Sequence, residues 1–520
     1  MERAASPWIK TVNLNPPSLQ DNTADADRLI SALKAAFQTD AVHIDLDLLK
    51  KLPDFLRNWE YRARCILFKD RKRWLLIGIT HTEDPATITG LAVDLGTTRV
   101  VLRLIDLYRG HTIAESAFDN PQDAIGPDIL ARIHYTGQAE GLKRLNELII
   151  DGLNQEIARL CRSKNIQPQE IYVLSVAGNT TMTHLFMGLD PHWIIREPYI
   201  PAVNTPPIIK ARTLGLHVNP QARTLIFPNI GSYFGGDLIA GILYSQLHKK
   251  DETALLVDVG TNAEVVVGSK NWLIACAGAA GPALEGGVTR MGMTAGAGVI
   301  DKVTIQTDTH EIDIHTIDNQ QARGICGSGV IDLAAQLFLS GMIDIRGKFV
   351  PNTCGSRLKK IDGLNHLVVA AADQSATGSD LTISQADLDS LIRSKAAMYT
   401  ILETITNSVG MALKDLAAFY VGGTFGSFIN PESAIAIGML PDLPLEKYRS
   451  LGNSSLGGAA LALASADCLA EIDYIRDRIT YLELNVNQDF MNRFSAAKFF
   501  PHTDPALFPS VKLQIQKMLS

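Results

Sequence analysis

The chain has 520 residues, 46% of them hydrophobic and 20% charged, with a formal net charge of −7. That length can bury a large core spread over two to four domains, and the acidic balance sets nucleic acid aside as a partner. The N-terminus lacks the apolar core of a signal peptide and no run of about 18 apolar residues occurs, so the expectation is a cytoplasmic protein with no membrane partner.

Residues 1–40 carry Pro-, Asn- and Asp-rich sequence around one short amphipathic stretch, DADRLISALKAAF, and read as a loosely attached lead-in. Residues 41–86 read as a small α+β linker domain: DLDLLKKLPDFLRNW has helical apolar spacing, and RARCILFKD and RWLLIGIT read as two strands joined by a turn. Residues 87–205 form a first α/β half. Its opening stretch, LAVDLGTTRVVLRLIDLYRGHTIAESAFDN, parses as three strands with turns near Gly96 and Arg109-Gly110. A long helix follows, with Leu142, Leu145, Leu148, Ile149, Leu153, Ile157 and Leu160 on one stripe. Then EIYVLSVAGN is a strand and TTMTHLFMGL starts a helix. Residues 206–520 repeat the plan as a second half with insertions and a C-terminal extension. ALLVDVGTNAEVVVGSKNWLIACAG supplies three strands, GVIDLAAQLFLSG and QADLDSLIRSKAAMYTILETITNSVGMAL are helices, and LAAFYVGGTFGSF is a strand ending in glycines. Two copies of one strand and helix order predict a duplicated α/β unit.

The chemistry gathers at the glycine corners. In both copies an aspartate, Asp94 or Asp258, stands at the end of the first strand, 258 − 94 = 164 residues apart. Gly96 or Gly260 then turns the chain without a side chain, so that backbone N–H groups can approach a phosphate closely. Thr97, Thr98, Thr261 and Asn262 add donors. A carboxylate facing polyphosphate requires a cation between them, so Asp94 and Asp258 are read as holding Mg²⁺ through water. A single Asp-x-Gly-Thr is most simply a hairpin turn; two in matching apolar strands point to a clamped nucleotide. Gly422, Gly423 and Thr424 follow a third buried strand, where adenosine can lie against bare backbone. In this order the three elements fit the actin, sugar-kinase and heat-shock ATPase superfamily, the ASKHA fold. Neither a Walker A motif nor a strand-linked GxGxxG is present; GICGSG, with Gly327 and Ser328, reads as a packed helix start bordering the nucleotide.

Beyond these corners the sequence resembles the reductive activators of corrinoid proteins, ATP-dependent enzymes that return an oxidised cobalt(II) corrinoid to cobalt(I) in methyl-transfer systems. The matching segments are LAVDLGTTRVV, NPQDAIGPDILARI, VAGNTTMTHLFMGLDP, PNIGSYFGGDLIAG, LLVDVGTNAEVVV, CAGAAGPALEGG, GICGSGVIDL, VGGTFGSFINP, LGNSSLGGAA and YLELNVNQDFMNRFSAAKFFPH, in the family's order over roughly residues 43–505. The resemblance implies ATP and Mg²⁺ as cofactors and a corrinoid protein as partner. It also brings in Asn179, Asp237, Glu264 and Glu285, among whose acids one orients the attacking water. Asn179 and Asp237 read equally well as caps of the helices that follow them, and His184 and His192 read as packing residues rather than cobalt ligands.

One departure stands out. Family members typically carry an iron-sulfur domain, whereas the six cysteines here (Cys65, Cys161, Cys276, Cys326, Cys354 and Cys468) are scattered without a ligand pair. No iron-sulfur cluster is expected in this chain, and a separate ferredoxin-like or flavodoxin-like donor is expected to supply the electron. Arg99 stands where a third Thr is usual and Leu284 where Phe is usual. The alternatives are a non-redox ATP-driven switch acting on a corrinoid or other cofactor protein, a small-molecule kinase, and a regulator without turnover; self-association into a homodimer stays open.

Overall fold

In the computed structural model the described residues are 6–232, 234–260, 263–278, 289–423, 429–482, 484 and 488–519. They fall into two compact units, Met1–Tyr244 with Ser454–Arg478, and Ser245–Asn453 with Ile479–Ser520.

The first unit begins with a four-stranded sheet of β1 (Ile9–Asn13), β2 (Val42–Ile44), β3 (Arg62–Asp70) and β4 (Arg73–Thr80), in the order β1-β3-β4-β2. Helix Asp25–Phe37 lays Leu29 and Leu33, both fully buried, into the same core as Val12, Cys65 and Leu67. The lead-in is therefore not loosely attached. Its strand Ile9–Asn13 pairs antiparallel with β3, Ile9 opposite Ile66, and Trp8 stacks on Phe68 at 5.5 Å. A five-residue strand bounded by prolines carries too short a pattern to declare itself before its partner is known. Asp45, just after β2, ties this sheet to the next. Against a burial that raises it, hydrogen bonds from Lys210 and Arg223 hold its carboxyl down at about 2.

The second sheet of this unit joins β5 (Thr89–Leu95), β6 (Arg99–Asp106), β7 (Thr112–Asp119), β8 (Ile171–Gly178), β9 (Ile209–Lys210) and β10 (Arg223–Ile226) in the order β7-β6-β5-β8-β10-β9. Strands β5, β6 and β7 are antiparallel, and β8 runs parallel to both β5 and β10. Helix Gly141–Ser163 buries Leu145, Ile149, Leu153, Ile157 and Leu160 of the expected stripe, with Leu142 and Leu148 half-buried beside them. Each fully buried aliphatic side chain contributes on the order of 1.5–3 kcal/mol. The expected boundary at residue 205 is too early, because β9, β10 and helix Gly236–Ser245 up to Tyr244 belong to this unit. So does helix Ser454–Ala464, which packs on β5, β6 and β8. It presses on helix Gly236–Ser245 through Gly457 and Gly458, whose added Cβ atoms would stand 2.7 Å from Tyr244 Cδ2 and 2.1 Å from Ala240 O.

The second unit repeats the topology. Its main sheet holds β11 (Ala254–Val259), β12 (Ala263–Ser269) and β13 (Trp272–Gly278). Two small inserted sheets follow, one of β14 (Val299–Ile305), β15 (Ile312–Thr316) and β16 (Gly324–Ile325), the other of β17 (Leu358–Ile361), β18 (Leu364–Ala370) and β19 (Leu381–Ser384). The main sheet is completed by β20 (Ala418–Gly422), β21 (Tyr448–Gly452) and β22 (Ile479–Tyr481), in the order β21-β20-β11-β12-β13-β22. Read from the third strand inward, β7-β6-β5-β8-β10 and β13-β12-β11-β20-β21 are one arrangement: three antiparallel strands, then two parallel ones. Helix Gln385–Asn407 packs on β12 and β13. Among the described residues no helix is long and apolar enough to cross a membrane.

Candidate functional site

In the first unit the site grows from the carboxyl ends of β5 and β8, where open α/β sheets present ligands to loops. Asp94 is the penultimate residue of β5, paired with Val101 and Ala177. Half-buried, it accepts a hydrogen bond at Oδ1 from Ser455 Oγ at 2.8 Å. The turn after it admits no side chain at Gly96, since a Cβ there would lie 2.2 Å from Arg99 O. Asn120, 1% exposed, bolts that turn from behind: its Nδ2 donates to Gly96 O at 3.0 Å and its backbone N to Thr98 O at 2.8 Å. The Thr98 side chain is left exposed.

Asn179 fulfils both readings of it. Its Oδ1 caps helix Thr180–Met187 by accepting from Met182 N at 2.9 Å, while its Nδ2 donates to Thr97 Oγ1 at 3.0 Å. Gly235 brings a second loop against it: a Cβ there would stand 2.5 Å from both Asn179 Cα and Asp237 Oδ1. Asp237 lies within the first turn of helix Gly236–Ser245, and its Oδ1 accepts from Leu238 N at 2.9 Å. The first unit thus gathers Asp94, Gly96, Thr97, Thr98, Asn179 and Asp237. Sequence reading missed Ser455 and Gly235; the signal for both was their place in the matching segments LGNSSLGGAA and PNIGSYFGGDLIAG.

In the second unit Asp258 occupies the equivalent strand position. It pairs with Glu264 across the β11–β12 hairpin and with Gly422 of β20. Directly opposed residues of an antiparallel pair project from the same face, with Cβ atoms roughly 5 Å apart, so two carboxylates share this face where the first hairpin sets Asp94 against Val101. Gly423 turns back onto them with φ of +79°, and a Cβ there would sit 2.7 Å from Asp258 Oδ1. Gly260 is half-buried at the hairpin turn. Thr261, Asn262, Glu285 and Thr424 lie outside the described residues. Gly327 and Ser328 open helix Gly327–Leu339, fixed by a Cys326 Sγ to Ser328 Oγ contact of 3.2 Å and by packing on β14.

The donor set suits a hard cation that keeps its water. Magnesium binds through one or two carboxylates and several waters, chemistry that Asp94 can offer in the first unit and Asp258 with Glu264 alongside in the second, and backbone turns stripped of side chains suit phosphate. His184 is engaged at both ring nitrogens, Nδ1 with Thr180 O at 2.7 Å and Nε2 accepting from Ala202 N at 3.1 Å. Burial lowers its pKa, opposed by the Thr180 carbonyl, so the ring is held as a neutral packing element. His192 sits edge-on to Trp193 at 5.1 Å. All six cysteines are buried free thiols.

Three family models match the chain in succession: the RACo linker region over residues 3–84, the RACo middle region over 89–250, and the C-terminal domain of RACo, the ASKHA domain, over 252–512. The corrinoid activation enzyme RamQ of Eubacterium limosum is 30% identical over 506 residues, 95% of this chain and 83% of that protein. The [Co(II) methylated amine-specific corrinoid protein] reductase of Methanosarcina barkeri is 24% identical over 438 residues, covering 78% of this chain and 75% of that protein. Among solved structures, a reductive activator for corrinoid, iron-sulfur protein matches with a TM-score of 0.88 and 37% identity, over 98% of this chain and 82% of that one.

Proposed function

The chain belongs to the RACo family of reductive activators of corrinoid proteins, and from that membership we propose that it hydrolyses ATP to drive a partner's cobalt(II) corrinoid to cobalt(I). The electron comes from a separate low-potential donor of ferredoxin or flavodoxin type. The observation that carries the reading is the duplicated hairpin, with Asp94 and Asp258 at one strand position of two like sheets.

On this reading the phosphates are bound by backbone N–H groups and side chains at Gly96, Thr97 and Thr98 and at Gly260, Thr261 and Asn262. Adenosine lies along Gly422, Gly423 and Thr424. Asp94 and Asp258 would hold magnesium through water, and the ion supplies charge neutralisation at the phosphates. Asp237, beside Asn179, Glu264, beside Asp258, and Glu285 are the acids among which one orients a water. Hydrolysis consumes one water, yields ADP and phosphate and moves no electron; the single electron gained by cobalt leaves the donor. What supports a separate donor is the scattered sequence spacing of the six buried thiols, none of which forms a local ligand pair.

The test is anaerobic. Purified protein, a cobalt(II) corrinoid protein, Mg-ATP and a low-potential donor are mixed and cobalt(I) is followed by visible absorption, with Asp258→Ala as control. ATP-dependent cobalt(I) that vanishes in the control is the expected result. ATP hydrolysis without cobalt(I), across several partners and donors, would instead establish the non-redox switch.

A further inference from the structure

Arg132 is fully buried, yet among the described residues no carboxylate forms an ion pair with it. Its Nε donates to Gly126 O at 2.8 Å and its Nη1 to Gln122 Oε1 at 3.1 Å, with Met182 Sδ at 3.2 Å from the same nitrogen; Nη2 has no hydrogen-bond partner. A guanidinium cannot shed its charge in a protein, and burying it is costly, a cost that the nearby charges of Asp123 and Asp128 offset only in part. Hydrophobic packing gives no reason for an arginine here, since Met or Leu would fill the space without that cost.

Two chains of contacts lead from Arg132 to the first hairpin. One runs through Gln122, which is fully buried and anchored by Nε2 to Leu145 O at 2.9 Å; its backbone N donates to Asn120 Oδ1, and Asn120 holds Gly96 O and Thr98 O. The other runs through Met182, whose N–H meets Asn179 Oδ1, and Asn179 in turn holds Thr97 Oγ1. Both end on the three residues assigned to phosphate, and both lie within the first unit.

We propose that the segment Asn120–Ile133 is a buried frame for the phosphate hairpin and that Arg132 is a positioning residue for nucleotide phosphates, fixing Gly96, Thr97 and Thr98 and setting behind them a positive charge that no direct ion pair neutralises. This rests on the reading that the hairpin binds ATP. A buried cation in a low-dielectric interior acts over a longer range than a surface one, so its effect falls on the charged portion of the ligand and spares the nucleoside.

The experiment compares Mg-ATP with adenosine by calorimetric titration on wild type, Arg132→Met, Arg132→Lys and Asn120→Ala, each checked for folding by circular dichroism. Arg132→Met is expected to weaken Mg-ATP about ten-fold or more while leaving adenosine within about two-fold, with KM for ATP rising more than kcat falls. Arg132→Lys, which keeps the charge, recovers part of the loss. Should Arg132→Met not fold, Asn120→Ala carries the same phosphate-selective expectation. Equal weakening of both ligands, or none in a folded variant, overturns the proposal, and Arg132→Lys no better than Arg132→Met overturns the role given to the charge. Wild type that binds no ATP overturns the underlying nucleotide reading instead.

Discussion

Substituting Gly423 by alanine tests how tightly the third glycine element is fitted to Asp258. The residue has φ of +79°, where a Cβ costs about 1–2 kcal/mol. The new methyl would also stand 2.7 Å from Asp258 Oδ1 and 3.0 Å from Val259 O, when ordinary contact starts at 3.4 Å. The Val259 carbonyl is strand backbone, so the carboxylate yields, by 3.4 − 2.7 = 0.7 Å or more. Misplacing one charged hydrogen-bonding group costs about 2 kcal/mol, near thirty-fold in affinity. Gly410→Ala supplies the comparison: its φ is +71° with nothing within 4 Å of the added Cβ, so it carries the backbone strain alone. Urea denaturation should show about 1–2 kcal/mol lost in both variants, whereas titration with Mg-ATP should show weakening in Gly423→Ala only. Unchanged affinity in Gly423→Ala, or equal weakening in Gly410→Ala, would refute the fit between Gly423 and the carboxylate.

Removing the Ser455 hydroxyl takes one donor from Asp94, and Ser455→Ala should slow ATP turnover by about five- to ten-fold, read by phosphate release. Burial keeps the native pKa of His184 below its ordinary value, so the unfolded chain binds more protons as pH falls below about 6.5. Stability should then drop by up to about 1.4 kcal/mol per pH unit until the native pKa is reached, and His184→Gln should remove that slope in pH-dependent denaturation. Lys395 is fully buried and donates to the carbonyls of Phe499 and Pro501. Lys395→Met deprives both of that donor and should cost about 1–3 kcal/mol in urea unfolding. Burial puts the native pKa of Lys395 well below its ordinary value, so the wild type should gain on this variant as pH rises from that lowered pKa toward about 10.5.

The hairpins at Asp94 and Asp258 were legible because alternating apolar strands and a glycine turn are local patterns, each complete within about a dozen residues. The stripe on helix Gly141–Ser163 was legible for the same reason. Asn179 was half legible: its cap lies three residues away, its bond to Thr97 eighty-two. Ser455 reaches Asp94 across 361 positions, and no periodicity encodes such a meeting. Arg132 was hidden by its type, since an arginine on an amphipathic stretch reads as solvent-facing until its burial is seen. The strand Ile9–Asn13 and the true extent of the first unit were missed because both are defined by distant pairings, with β3 and with β8.

The return of residues 454–478 to the first unit has a bearing on synthesis. A ribosome has already extruded both sheets of that unit when it passes Tyr244, yet the helix that covers β5, β6 and β8, with the Leu463 carbonyl that receives the Trp8 indole, is complete only 464 − 244 = 220 residues later. At roughly 5–20 residues per second the wait is on the order of 10–50 s. Throughout it the unit begun first remains unfinished, with an apolar sheet face bare to the cell. Its yield is therefore set as much by what shelters that face during translation as by the stability of the finished protein.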